Sequence, residues 1–156
     1  MKIIHGTLRD FHRYWRDATW AEPQFAAYLE AGKAEFWYAS IGLRVVGRIY
    51  LFHELPDTDA ADGTKRAYLC NLPVLKRYRG RGIGSALLER MASRARELNF
   101  SELSIGVEEE NAANLRLYQR MGYVNTIKRC TEDLVCVKDD GNPATCGAYL
   151  LMRKEL

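Results

Sequence analysis

The sequence predicts an α/β fold in a single domain, on three observations. Strand-like and helix-like hydrophobic periods alternate along the chain. One long amphipathic helix directly follows a glycine-rich turn. No linker, repeat or low-complexity tract divides the sequence. A length of 156 residues fits one domain, here 1–156, and a core of that size needs no disulfide or metal staple.

Lys2 to Ile4 is a short apolar start that reads as an edge strand. Thr7 and Asp10 have the spacing of a capping box, with Asp in the usual glutamate's place, opening a helix through Leu8, Phe11 and Trp15. A second helix fits Pro23 to Ala31: the proline falls in the first turn, where a missing N–H costs nothing, and Gly32 ends it. The period then changes. Glu35 to Ile41 and Val45 to Leu55 are rich in β-branched and aromatic residues and flank Gly42, which predicts a hairpin. Pro56 to Lys65 is a loop. Arg66 to Val74 is apolar enough for a central strand, with Pro73 implying a bulge or splay near its end.

From Gly82 to Leu98 the period is helical: Ile83, Leu87, Met91, Ala95 and Leu98 share one face, and Asn99 suits a left-handed stop. Leu103 to Val107 alternates as a strand. Asn111 to Met121 is a short helix closed by Gly122. Two more strands are expected near Tyr123 to Lys128 and Cys146 to Arg153, with a turn at Lys138 to Pro143.

Composition narrows the function. A formal charge of +3 with no dominant basic tract argues against nucleic acid, and the local cluster Lys76, Arg77, Arg79 and Arg81 suits a small polyanion better than a duplex. The aromatics form no stacking platform beside it. The four cysteines, Cys70, Cys130, Cys136 and Cys146, have no Cys-x-x-Cys or zinc spacing, so no metal is expected. No run is long enough to span a membrane, and the first residues lack a signal-peptide core, so a cytoplasmic location with reduced thiols is the expectation. A homodimer is compatible with all of this.

The informative stretch is a strand, then Arg79-Gly80-Arg81-Gly82-Ile83-Gly84, then the amphipathic helix. Glycines let the backbone turn tightly and meet a ligand without a Cβ between them. Successive amides then face one concavity, and the helix adds the positive end of its dipole, which favours phosphate. A Walker loop needs Gly-Lys-Ser/Thr, and the dinucleotide fingerprint needs G-x-G-x-x-G; neither is present. A glycine-rich turn can also serve packing alone.

With its flanks, this stretch closely resembles the acetyl-CoA motif of the GNAT superfamily of N-acetyltransferases, Arg/Gln-x-x-Gly-x-Gly/Ala, matched here by Arg79, Gly82 and Gly84. Leu72 and Val74 fall where the family's strand end pairs with the pantetheine arm. A second family motif, Asn, then Tyr seven residues on, then Gly and an aromatic, is matched by Asn111, Tyr118, Gly122 and Tyr123. The resemblance is strongest from Ala67 to Val124. It implies a mixed sheet with splayed central strands and helices on both faces, and acetyl-CoA as cosubstrate. Its cofactor-binding residues would be Leu72, Val74, Arg79, Gly80, Arg81, Gly82, Ile83, Gly84, Ser85, Asn111, Asn114 and Tyr118. As bare residues, Asn111 can simply cap a helix and Tyr118 can be a core aromatic.

The resemblance further implies direct attack of a primary amine on the thioester, with the acceptor a small molecule or a peptide. The Val74 amide is the expected donor to the thioester oxygen and Tyr118 the expected general acid. The base is the least legible part. Some family members carry a Glu where this chain has Tyr68. Glu54 and His53, near the end of the preceding strand, are the candidates, directly or through water. Glu54, Asp57, Asp59 and Asp62 cluster there, which points to a cationic acceptor, although a solvated loop accounts for them as well. Cys70 lacks an evident His partner, so no covalent intermediate is expected. Transfer to a protein N-terminus or lysine, use of a longer acyl group, and a non-catalytic acyl-CoA sensor on the same fold are the alternatives.

Overall fold

The structure, a computed structural model, describes residues 1–156. Strands β1 (Lys2–Gly6), β2 (Ala34–Ile41), β3 (Arg44–Phe52), β4 (Arg66–Cys70), β5 (Glu102–Glu108), β6 (Asn125–Val137) and β7 (Pro143–Glu155) form one sheet in the order β1-β2-β3-β4-β5-β7-β6. Neighbours are antiparallel except β4 and β5, which run parallel. Helices α1 (Leu8–Tyr14) and α2 (Glu22–Glu30) cover one face, while α3 (Ile83–Glu97) and α4 (Ala112–Arg120) cover the other.

The alternation of side chains along each strand supplies both cores. In β3, Ile49 and Leu51 pack towards α3 with Leu87, Leu88 and Met91, whereas Tyr50 and Phe52 pack towards α1 and α2 with Phe11 and Phe25. Each such large buried side chain stabilises the fold by about 1.5–3 kcal/mol. Local signals hold where they are strong. Thr7 and Asp10 form the reciprocal capping box, with the Asp10 amide donating to Thr7 Oγ1 at 3.1 Å and the Thr7 amide donating to Asp10 Oδ2 at 2.9 Å. Asn99 is left-handed at the end of α3, with φ 67°.

Two expectations are corrected. The central strand ends at Cys70 rather than Val74, because Asn71 adopts a left-handed backbone (φ 58°) that breaks the ladder. Past it the chain returns to β3, where the Arg48 amide donates to Pro73 O at 3.2 Å and the Leu75 amide to Val46 O at 2.9 Å. The last two strands are thirteen residues each, far longer than their apolar stretches suggest. Register irregularities at Thr126/Lys128, Cys130/Glu132 and Glu132/Val137 interrupt the alternation of β6 and hide its length in the sequence.

Candidate active site

The site begins with a gap in the sheet. β4 and β5 pair only as far as Leu69 and Ile105. Beyond that, residues 71–75 lean towards β3, while β5 continues along β7 to the Glu108–Tyr149 pair. The bonds made by Pro73 and Leu75 leave the peptide groups of Val74 turned away from β3, towards the opening. The Val74 amide donates to no group of the chain, and its carbonyl accepts from Arg79 Nε at 2.9 Å.

On the α3 side of this strand end lies the glycine turn. Gly80 and Gly82 have φ of 75° and 79°, conformations that a side chain strains. The first backbone hydrogen bond closing into α3 runs from the Ala86 amide to Gly82 O at 2.9 Å, so the amides of Gly80 through Ser85 have no acceptor within the chain. Of these residues Gly80, Gly82, Ile83, Gly84 and Ser85 line a cavity of about 560 Å³, together with Leu72, Val74, Arg79, Asn111 and Asn114. Unpaired amides at a helix N-terminus form an anion site of the kind phosphate requires. Arg81 does not line this cavity; its guanidinium lies 5.1 Å from the centre of the Tyr78 ring. Arg120, at the end of α4, lines it instead, and nothing in the sequence singled that residue out.

Asn111 caps α4, its Oδ1 accepting from the Asn114 amide at 3.1 Å, and both side chains also wall the cavity. Tyr118 is buried in the core shared with α3, its ring 6.3 Å from Tyr123, and it lines neither of the two cavities beside the gap. Burial pushes its phenol up to about 12, with a smaller push from nearby Cys70. Its hydroxyl makes no hydrogen bond to another group of the chain.

The second cavity, about 360 Å³, flanks the same strand end on the α1–α2 side. Trp15, Trp20, Phe25, Tyr68 and Tyr149 contribute its apolar surface, and Asp17, Glu108 and Asp133 its carboxylates. Cys70 lies in its wall; burial, then the Asp133 charge, pushes that thiol well above its ordinary range. Tyr68 is a buried wall residue. Sequence reasoning missed Glu108 and Asp133. The available signal was the acidic pair Glu132-Asp133 directly before the strand-like Leu134–Val137 stretch.

Glu54 and His53 do not belong to this site. β3 runs antiparallel to β4, so its C-terminal end lies beside the beginning of β4, far from the gap. Glu54 pairs with Lys33 at 3.2 Å, and His53 Nε2 lies 3.3 Å from Glu35 Oε1. Neither residue lines either cavity. The expected acidic rim is likewise engaged elsewhere. Asp57 and Asp59 hold Lys128 Nζ at 2.6 and 3.1 Å. Asp62 Oδ1 accepts from the amides of Thr64, Lys65 and Arg66. No group of three or more His, Cys, Asp or Glu residues has a metal-binding arrangement, and no helix is long and apolar enough to cross a membrane.

Residues 2–123 match the family described as Acetyltransferase (GNAT) family. N-acetyltransferase 8F1 of Rattus norvegicus is 31% identical over 103 residues, which cover 66% of this chain and 45% of that protein. The chain thus spans under half the length of the first curated relatives it matches. Among solved structures, the ribosomal-protein-alanine N-acetyltransferase of Brucella melitensis superposes with a TM-score of 0.70 at 21% identity, covering 100% of both chains. A GNAT family acetyltransferase of Elizabethkingia anophelis with acetyl-CoA bound gives 0.67 at 17% identity, covering 99% of this chain and 97% of that one.

Proposed function

The chain belongs to the GNAT acetyltransferase family, and on that premise we propose that it moves the acetyl group of acetyl-CoA to a primary amine by direct attack in a ternary complex. One observation carries the reading: the free amides of Gly80–Ser85 and the free Val74 amide face the gap between β4 and β5 from its α3 side, while an open cavity meets the same strand end from the other side. Cofactor and acceptor can therefore reach one point without sharing a pocket.

Each part of the site has a task. The amides from Gly80 to Ser85, with Arg79 and Arg120, hold the pyrophosphate. Leu72 and Val74 receive the pantetheine arm, and Asn111 and Asn114 line its path. The Val74 amide donates to the thioester oxygen as it gains charge, without needing to reorient at the moment of reaction. The amine sheds one proton to solvent and its lone pair forms the C–N bond. The C–S bond then breaks, and Tyr118 donates a hydrogen bond to the departing thiolate. The second ammonium proton leaves to water and the released thiolate takes a proton from water, so the products are the acetamide and coenzyme A. Cys70 is kept as a thiol by its surroundings, which supports direct attack over an acyl-enzyme.

A small amine is the first acceptor class. A peptide N-terminus is the second, favoured by the name of an Arabidopsis thaliana relative, N-alpha-acetyltransferase MAK3, 39% identical over 61 residues. The test combines calorimetric titration of acetyl-CoA with mass spectrometry of products from a panel of amines and short peptides. Acetylated product with stoichiometric free coenzyme A is expected. Tight acetyl-CoA binding with no product from any acceptor would instead make the chain a sensor.

A further inference from the structure

We infer that the cavity on the α1–α2 side selects an amine carried on an aromatic or similarly broad apolar body, with Asp133 as the carboxylate that holds the ammonium. The inference takes from the acetyl-transfer reading only that the occupant is the acceptor.

The cavity is chemically lopsided. In a chain of formal charge +3, no lysine, arginine or histidine lines it, while three carboxylates do. An amine is therefore attracted and an acid repelled. The three carboxylates are not equivalent. Asp17 already accepts from Asn71 Nδ2 at 2.8 Å and faces Arg48 at 4.0 Å. Glu108 is exposed at the end of β5. Asp133 alone is both fixed and free: its Oδ1 accepts from the Val135 and Cys136 amides at 2.8 Å each, and its other oxygen has no partner. The register irregularity between Glu132 and Val137 turns this part of β6 out of simple alternation, the usual way a bulge re-aims a side chain beside a site. Its charge is felt across the cavity, adding to burial in pushing up the thiols of Cys70 on β4 and Cys136 on β6.

The remaining walls set the shape of the acceptor. Trp15, Trp20, Phe25 and Tyr149 offer flat apolar surface within about 360 Å³, room for a ring on a short alkyl chain. Trp20 is 57% exposed at the mouth, so it can close over a ring without any core rearrangement. Aromatic faces also favour an adjacent cation.

The experiment is equilibrium binding followed by tryptophan fluorescence, since Trp15 and Trp20 are in the wall. The full chain is titrated with 2-phenylethylamine, its neutral counterpart 2-phenylethanol, and propylamine, each with and without coenzyme A. 2-Phenylethylamine should bind about 10–100-fold tighter than the alcohol, the range of a charge-assisted hydrogen bond, and clearly tighter than propylamine. Asp133→Asn retains the Oδ1 acceptor that fixes the bulge, so it should fold, leave the alcohol's affinity unchanged and erase the preference for the amine. Equal binding of amine and alcohol by the wild type, or equal binding of propylamine, overturns the inference, and so does an amine preference that survives in a folded Asp133→Asn. Binding is read without turnover. Failure of acetyl transfer with these preferences intact would therefore count against the proposed reaction and not against the cavity's specificity.

Discussion

Tyr118 shows how burial changes a catalytic assignment. With its phenol pushed up to about 12, it stays protonated throughout the neutral range, so it is always a donor. It is also a weaker acid than an ordinary thiol, whose pKa is about 8.5, so complete proton transfer to the leaving thiolate is uphill. In the proposed reaction the phenol would therefore stabilise the thiolate by a hydrogen bond, an effect at the low end of acid catalysis. Tyr118→Phe should lower kcat about 10–100-fold with acetyl-CoA affinity changed less than about threefold. Steady-state kinetics with direct acetyl-CoA titration checks this; unchanged kcat reduces Tyr118 to a core aromatic, and lost affinity recasts it as a cofactor contact. The placement of Asn111 at the cap and Tyr118 within one short helix was legible because sequence spacing fixes spatial relation there. Glu54 was misplaced because proximity in sequence to a strand end says nothing about which end of the sheet that is. Asp133 did not stand out as a site residue because the residues that line the cavity with it, Trp15, Asn71 and Tyr149 among them, come from other, separate parts of the chain.

At the scale of elements, the turn into α3 does two things with one conformation. Left-handed Gly80 and Gly82 end the chain's descent from β4, and they leave the amides of the first helical turn unpaired. A Cβ at Gly82 would meet no neighbouring atom within 4 Å, so the cost of replacing it is purely conformational. Gly82→Val should lower stability by about 1–3 kcal/mol and abolish stabilisation by acetyl-CoA, which for the wild type at 100 times Kd is about 2.7 kcal/mol. Gly141→Val is the control. That glycine has φ 82° in the β6–β7 turn, so strain is similar but the ligand response should survive. Thermal melts of the three proteins with and without acetyl-CoA decide it: a full shift in a folded Gly82→Val removes the loop from the cofactor site. This element was readable because its chemistry is contiguous in sequence. The early end of β4 was not, since Asn71 carries no mark of its left-handed backbone beyond a residue type that tolerates it.

For the whole molecule, the order of elements followed from their periods, but the insertion of β7 between β5 and β6 is a non-local pairing that no local pattern encodes. The same holds for the polar network that ties β2 to α3. Glu35 reads in the sequence as one polar residue in an apolar strand, yet it is 6% exposed and gathers partners from distant segments. Arg94 donates to both its oxygens at 2.9–3.2 Å, Trp37 Nε1 donates at 2.8 Å, and His53 Nε2 lies 3.3 Å away. Burial alone pushes the Glu35 carboxyl up, but the contacts from His53, Arg94 and Trp37 outweigh it and hold it at about 2, below its ordinary 4.5. A carboxyl whose pKa is depressed by folding contributes stability that is fully present above about 4.5 and is lost as pH falls towards 2, because the unfolded chain then binds the proton first. The shift corresponds to about 3 kcal/mol at pH 7. Glu35→Gln should therefore melt about 6–12 °C below the wild type at pH 7. Near pH 2 the wild-type carboxyl is half protonated, and the difference should shrink below about 1 kcal/mol. Urea unfolding of both proteins from pH 7 to pH 2 measures the gap directly. A gap that stays constant with pH would mean that Glu35 stabilises the fold by shape and packing rather than by its charge.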